Sequence, residues 1–491
     1  MVANPWGFLR HARKEAPKRP IGERLLDWEP VYNRPAVADV RVQASRCMDC
    51  GVAFCHAGCP LGNLIPEWNE LTAADDWRAA IDRLHATNNF PEFTGWLCPA
   101  PCEASCVLAI NSDPVTIKQI ELAIVDRAFD EGWVAAQPSA HRTGRRVAVI
   151  GSGPAGLAAA QQLTRAGHDV VVYERSDQLG GLLRYGIPDF KMAKTLIDRR
   201  LEQLAAEGTV LRAGVDIGGP NGPAPEELRA GVDAVVLATG ALRPRELQIP
   251  GRDLHGVHQA MDYLPQANRA RAGRPVTGAV HAAGSHVVII GGGDTAADCL
   301  GTANRQGAAR VTQLDHNPRP PDARDLLANP WPQWPKVHKS SPAHEEGVVE
   351  AWSREAVAFL GDEAGRIRAV LTQEVEILWQ DGRRVFRPVP ASRRELPCEL
   401  VLVAAGFLGT EPGALLDRLG VEVAGERGTV RVGPDWRTSA EGVFACGDAG
   451  RGASLVVWAI AEGRACAAAV DEALTGATDL PAPVAPGTRP L

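Results

Sequence analysis

Seven of the eleven cysteines fall in two short groups, Cys47-x2-Cys50-x4-Cys55-x3-Cys59 and Cys98-x3-Cys102-x3-Cys106. Thiolates two to four residues apart can converge on one metal centre, because the loops between them are short. Cysteines clustered this way in an intracellular chain are expected to be metal ligands or redox groups, not disulfides. Seven thiols suit two four-iron clusters that share a shortfall of one ligand, to be met by a residue other than cysteine. C-x2-C is also a zinc signature, so a redox-inert zinc module is the alternative.

Two Gly-rich turns carry a second chemistry. The strand Arg146–Ile150 runs into Gly151-Ser152-Gly153-Pro154-Ala155-Gly156 and then a helix. Gly151 permits the tight turn, Gly153 lets backbone approach a pyrophosphate, and Gly156 allows helix to pack on strand. The helix N-terminus presents free N–H groups to the phosphates. A second apolar strand, His168–Tyr173, ends in Glu174, 23 residues past Gly151 (174 − 151), where an acid binds both ribose hydroxyls. The same strand–turn–helix order recurs from His286, through Gly291-Gly292-Gly293-Asp294-Thr295 to Ala296 in place of the third Gly. Two such sites imply two dinucleotides, and a flavin reduced by a nicotinamide is the usual pairing. Asp315 lies 24 residues after Gly291 (315 − 291), where it favours a free 2′-hydroxyl, whereas His316, Arg319 and Arg324 could hold a 2′-phosphate. These residues leave NADH and NADPH both open. Hydride transfer between stacked rings rests on proximity and orientation, so no catalytic side chain is assigned.

The elements that must position these residues follow from periodicity. Trp77–Leu84 and Ile117–Phe129 carry apolar residues at three- and four-residue spacing, which predicts helices around the cysteines. Pro138–Arg145 reads as a linker. The turns at Gly151 and Gly291 mark a domain-sized internal repeat of a mononucleotide-binding unit. A last βα pattern spans Val443–Asp471, and a Pro-rich tail from Leu480 is expected to be disordered. Cys299, Cys398 and Cys466 read as buried small residues, and Cys446 has no cysteine near it at redox spacing. His255, His258 and His281 have no ligand spacing. The string Asn329-Pro-Trp-Pro-Gln-Trp-Pro335 reads equally as a partner surface or a packed loop.

At 491 residues the chain is long enough for about three domains. Its net charge of −7 argues against a general nucleic-acid binder. The first 46 residues are locally basic, with nine Lys/Arg against five Asp/Glu. No run approaches eighteen apolar residues, and the N-terminus lacks the apolar core of a secretory signal, so a cytoplasmic, non-membrane protein is expected.

Gly180-Gly181-Leu182-Leu183-Arg184-Tyr185-Gly186-Ile187-Pro188, together with the late Cys446-Gly447-Asp448, resembles the two-dinucleotide-binding flavoproteins. That resemblance implies FAD on the first turn, with Gly181 and Leu182 beside it and Gly447 and Asp448 at its ribityl and phosphate region. Lys191 would lie near the same cofactor. Ala238-Thr239-Gly240 and Ala404-Ala405-Gly406 resemble the crossings between the two nucleotide domains. Cys59-Pro60 is similar to the end of a ferredoxin cysteine run. Taken whole, the chain resembles glutamate synthase small (beta) subunits, and its N-terminal half the electron-entry domains of dihydropyrimidine dehydrogenase. The implied fold is α/β: two Rossmann-like dinucleotide-binding domains, for FAD and NADPH, behind a mainly α-helical iron–sulfur domain. Residues 1–143 would be the iron–sulfur domain, 144–247 the first segment of a split FAD-binding domain, 248–410 the NAD(P)H domain, and 411–491 the returning FAD-binding segment with the tail. By the same resemblance Cys47, Cys50, Cys55 and Cys106 hold one 4Fe-4S cluster. Cys59, Cys98 and Cys102 hold the other, with Glu121 as its fourth ligand. Electrons would pass from NADPH through FAD and both clusters to a large subunit that makes glutamate from glutamine and 2-oxoglutarate. The chain's earliest cysteine is Cys47, so it is not expected to split glutamine alone. The rival readings are an NAD(P)H:ferredoxin-type or bifurcating oxidoreductase subunit, and a non-enzymatic nucleotide-binding regulator with a zinc module.

Overall fold

The computed structural model describes residues 6–380 and 383–489. The N-terminal region is helical. Asp76 caps the helix Trp77–His85 through the backbone N–H of Ala79 (3.1 Å), and the helix buries Trp77, Ala80, Ile81 and Leu84 on one face. The helix Ile117–Asp130 buries Ile117, Ile120, Ile124, Val125 and Ala128, and Glu121 lies on that same face. An acid there breaks the apolar stripe, which makes it a position to explain.

Two parallel five-stranded sheets follow. In the first, the strand Arg146–Ile150 lies between Asp169–Glu174 and Ala234–Leu237. Val210–Ala213 closes one edge and Val443–Ala445, from near the C-terminus, closes the other. The second strand is thus one residue later than its apolar run suggests, because Glu174 still pairs in the ladder. The second sheet orders Val257–Gln259, Leu400–Val403, His286–Ile290, Arg310–Asp315 and Val349–Trp352. Parallel strands covered on both faces read as continuous apolar runs, as Val147–Ile150 and Val287–Ile290 do. Between Val349–Trp352 and Leu400–Val403 the chain inserts an antiparallel sheet: Arg354–Gly361, Ile367–Gln380, Arg383–Pro388 and Arg394–Pro397.

The two crossing segments pair with each other. Arg243 N–H donates to Gly409 O (3.1 Å), Arg245 N–H to Gly406 O (2.8 Å) and Leu408 N–H to Arg243 O (2.8 Å). This short antiparallel ribbon ties the two sheets together. The helical region is pinned to the first sheet's layer by a buried bidentate ion pair, Arg200 to Glu92, with both contacts at 2.7 Å. The tail is ordered, against expectation: Val484 packs on two apolar cores, and Thr488 O accepts from Arg451 Nη2 (2.9 Å). Among the described residues, no helix is long and apolar enough to cross a membrane.

Candidate cofactor sites

A cavity of about 1280 Å³ opens between the two sheets and the helical region. That exceeds the 300–1,000 Å³ or so usual for a single small ligand and has room for parts of two dinucleotides. The first turn forms one wall, with Gly151, Ser152, Gly153, Pro154 and Ala155, and Glu174, Gly181, Leu182 and Asp448 join it. A Cβ on Gly151 (φ +106°) would meet Ala238 O at 2.3 Å, and one on Gly156 would meet Gly151 O at 2.0 Å. Around Gly153 there is nothing within 4 Å, which leaves its backbone open to a ligand. The turn therefore fits a pyrophosphate: it is tight where the protein packs and open where phosphate would lie. The Glu174 carboxylate is buried and accepts from Ser152 Oγ (2.6 Å), Ser152 N–H (3.2 Å) and Ser176 N–H (2.9 Å). Ser152 Oγ also accepts from Gly180 N–H (2.9 Å), so one hydroxyl joins turn, acid and the Gly180–Pro188 segment.

Asp448 lines the cavity from just past the strand Val443–Ala445, at the same carboxyl end of the parallel sheet as the Gly151 turn. Burial raises its carboxyl to about 6, against the hydrogen bond from Ser454 Oγ (2.6 Å). Gly447 N–H donates to Glu462 Oε2 (2.9 Å), and Glu462 also takes Arg451 Nε (2.5 Å). Ser454 and Glu462 thus hold the Gly447-Asp448 turn. Neither has a signal in the sequence: Ser454 reaches back six positions to Asp448, and Glu462 meets Gly447 only when the last helix docks.

The second turn repeats the geometry. Gly291 (φ +131°) would meet Ala404 O at 2.2 Å if it carried a Cβ, and Gly293 is open to 4 Å. Ala404 therefore backs this turn as Ala238 backs the first, and Gly406 (φ +92°) continues into the crossing ribbon. Asp294 reaches the common cavity; Gly291, Gly292, Gly293 and Thr295 do not line it. Asp315 sits at Gly292, fixed by Asn317 N–H and Nδ2 (both 2.8 Å). The two arginines singled out for a 2′-phosphate are not gathered on the cavity. Arg319 is exposed and pairs with Asp322 (2.7 Å), while Arg324 has a buried Nη1 without a partner. Arg384, which the sequence does not single out, donates to Asn317 Oδ1 (2.5 Å) beside Asp315.

Lys191 lines the cavity, but its nearest partner belongs to the second site. Its Nζ lies 2.5 Å from Asp298 Oδ1, on the helix that follows the second turn. Burial pushes Asp298 up to about 6 against the pull of Lys191. Burial also works against the Lys191 charge, but Asp298 and Asp294 outweigh it and raise its pKa.

The cysteines separate into two sets. Cys47, Cys50, Cys55 and Cys106 surround one small pocket lined otherwise by apolar groups and Asn69. Burial, then mutual repulsion among these four, pushes the Cys55 thiol up to about 12, and burial does the same for Cys47. Cys59, Cys98 and Cys102 form the other set. Burial pushes Cys59 to about 11 and Cys98 to about 12, and the carboxylate of Glu121 adds to both shifts. Cys102 is raised well above its ordinary value by burial, with Cys59, Cys98, Glu103 and Glu121 contributing. Glu121 is buried and held near pKa 7 mainly by desolvation, while Thr94 Oγ1 (2.8 Å) and Asn88 Nδ2 (2.9 Å) donate to its Oε1. Buried thiols that resist ionisation fit a bound cationic centre, which deprotonates its ligands outright. Among the described residues no three Cys, His, Asp or Glu side chains converge as closely as one metal ion needs. The four thiols of the first set instead ring a small pocket, which suits a multi-atom cluster. Cys98 also lines the dinucleotide cavity, with Trp96, Leu97 and Lys118.

Elsewhere, Cys446 meets the thiol of Cys466, 20 positions on (466 − 446), so its isolation in sequence is not isolation in space. The Trp-rich string packs in part on the helical region: Trp331 lies against Phe54, with ring centroids 4.6 Å apart and planes tilted by 52°, beside the first cysteine set.

These features define an oxidoreductase with two dinucleotide sites and an iron–sulfur module, and comparison with known families agrees. Residues 145–463 match the family described as pyridine nucleotide-disulphide oxidoreductase. Residues 24–133 match the family described as dihydropyrimidine dehydrogenase domain II, 4Fe-4S cluster. The chain belongs to the glutamate synthase small-chain family. It is 58% identical to the glutamate synthase [NADPH] small chain of Mycobacterium tuberculosis (strain H37Rv), with 100% of both chains covered. It is 43% identical to glutamate synthase [NADH] of Schizosaccharomyces pombe, covering 97% of this chain but 23% of that much longer one. Among solved structures, Mycobacterium tuberculosis FprA in complex with NADPH shares the fold at TM-score 0.52 and 19% identity, over 68% of this chain and 84% of that one.

Proposed function

We propose that this chain is the electron-input subunit of an NADPH-dependent glutamate synthase. The observation that carries the reading is that Cys98 lines the same cavity as Gly151–Ala155 and Asp294. A redox ligand thus borders the space where both dinucleotides would meet. When bound, FAD would supply hydride acceptance from NADPH, and the 4Fe-4S clusters would supply one-electron transfer.

The chain's own residues orient and insulate. Gly151–Gly156 would cradle the FAD pyrophosphate, Glu174 its ribose, and Gly447-Asp448 its ribityl and phosphate region. Gly291–Thr295 would hold NADPH, with Asp315 and Arg384 nearest its adenosine ribose, Arg384 taking the role the sequence gives Arg319. Cys59, Cys98, Cys102 and Glu121 would bind the cluster on the cavity side. Cys47, Cys50, Cys55 and Cys106, each only half-buried, would bind the one nearer the surface. The sheet memberships support division at residues 143/144, 247/248 and 410/411, with the last segment returning Val443–Ala445 to the first sheet. The partner would be the large subunit that converts glutamine and 2-oxoglutarate to glutamate, in the cytoplasm, without membrane or nucleic acid. Reconstitution tests this: chain plus large subunit and NADPH should form glutamate, and each alone should not. Glutamate from this chain alone would overturn the reading, as would a large subunit whose NADPH-dependent activity the chain leaves unchanged.

A further inference from the structure

Asn69 has no hydrogen-bonding partner for either side-chain polar atom, although it is 0% exposed. It lies on the helix Ile65–Ala73, one turn from Ile65 and Pro66, and all three line the pocket ringed by Cys47, Cys50, Cys55 and Cys106. A buried amide left unpaired carries a desolvation cost that a leucine in the same apolar wall would not. Other unpartnered buried groups of the helical region, such as Trp68 Nε1 and His56 Nε2, do not line this pocket.

We propose that Asn69 donates an N–H from Nδ2 to a sulfur of the surface-side cluster and raises its reduction potential. The inference rests on the reading that these four cysteines hold a 4Fe-4S cluster. Reduction adds one electron from the cavity-side cluster and makes the iron–sulfur core and its thiolates more negative by one charge. A hydrogen bond to sulfur is stronger in the more negative state, so it favours reduction. Asn69 thereby makes the surface-side cluster a better electron acceptor than it would be without this donor. It is a positioning and tuning residue: it takes no part in hydride transfer.

The test uses the full-length chain, purified anaerobically, with iron, acid-labile sulfide and flavin measured on each sample. Redox titration followed by EPR, with Fe–S stretching bands by resonance Raman, compares the native chain with Asn69→Leu and Asn69→Asp. Leu removes the donor and fills the space; Asp keeps the shape and, in titrations run at a pH high enough to ionise this buried carboxyl, offers no donor. Both variants should retain iron and flavin, and one cluster midpoint should fall while the other stays. A tenfold fall in the reduction equilibrium constant corresponds to about 59 mV. Unchanged midpoints and unchanged Raman bands in iron-replete variants would overturn the inference and leave the cluster reading intact. Loss of one cluster from both variants would also overturn it, making Asn69 a structural support. A native chain without iron and sulfide would instead remove the reading beneath it.

Discussion

Replacing Asp448 with asparagine should strengthen the flavin-free protein and weaken its hold on FAD. Burial lifts the Asp448 carboxyl from 3.8 to about 6 in the folded chain. At about 1.36 kcal/mol per pKa unit, a shift of roughly two units amounts to ~3 kcal/mol, and residual solvent contact reduces it to about 1–3. The sign follows from proton binding. The folded chain holds this proton more tightly than the unfolded one, so the penalty is absent below pH 3.8 and grows to its full size above about 6. Asp448→Asn, which stays neutral, should therefore unfold at higher denaturant concentration near pH 8 by an amount worth about 1–3 kcal/mol, and by almost nothing near pH 4. Asn Oδ1 can still accept from Ser454 Oγ, so the turn should keep its shape. The cofactor loses a charged acceptor worth about 1.5–3 kcal/mol, which is roughly a 10- to 100-fold weaker FAD affinity. Urea titrations of the flavin-free protein and flavin fluorescence titrations measure the two effects. Equal FAD affinity in the variant would refute the placement of Asp448 at the flavin. A destabilised variant at pH 8 would refute the electrostatic reasoning.

Glu121→Ala should lower iron and sulfide to about half while FAD stays bound, since one of two clusters loses a ligand; metal analysis of the anaerobic protein decides this. Glu92→Ala should cost about 3–5 kcal/mol, because it leaves Arg200 buried and unpaired, and thermal unfolding should show the loss. Asp315→Ala should improve kcat/KM for NADPH relative to NADH, by removing a carboxylate from beside the 2′ position, and Arg384→Ala should do the reverse. Steady-state kinetics with both donors would show either ratio moving the other way if the adenosine ribose lies elsewhere.

Much of the fold and of the site is readable from the chain because the relevant constraints are local. A strand feeding Gly151 or Gly291 dictates the turn by sterics alone, and the neighbouring Ala238 and Ala404 carbonyls show why no other residue fits. Glu121 stands out as an acid on the apolar face of a helix. Asn88 and Thr94, which hold it, lie 33 and 27 residues away and carry no periodic mark. The resemblance puts Lys191 near the flavin, yet its partner Asp298 comes from the other sheet's helix, a contact set by how the two halves close. The antiparallel insertion leaves little trace in the sequence because arginines such as Arg383, Arg384 and Arg387 interrupt its alternation on exposed strands. The tail looks disordered by composition, but Val484 finds a groove that only the assembled cores create.

The most direct test of the central claim is an anaerobic titration of the purified full-length chain with NADPH, read by flavin absorbance and low-temperature EPR, with iron, sulfide and FAD measured on the same sample. The account predicts bound FAD, iron and sulfide sufficient for two four-iron clusters, bleaching of the flavin by NADPH, and a cluster EPR signal that appears with it. A colourless protein carrying zinc, or a flavin that NADPH leaves oxidised, would contradict it.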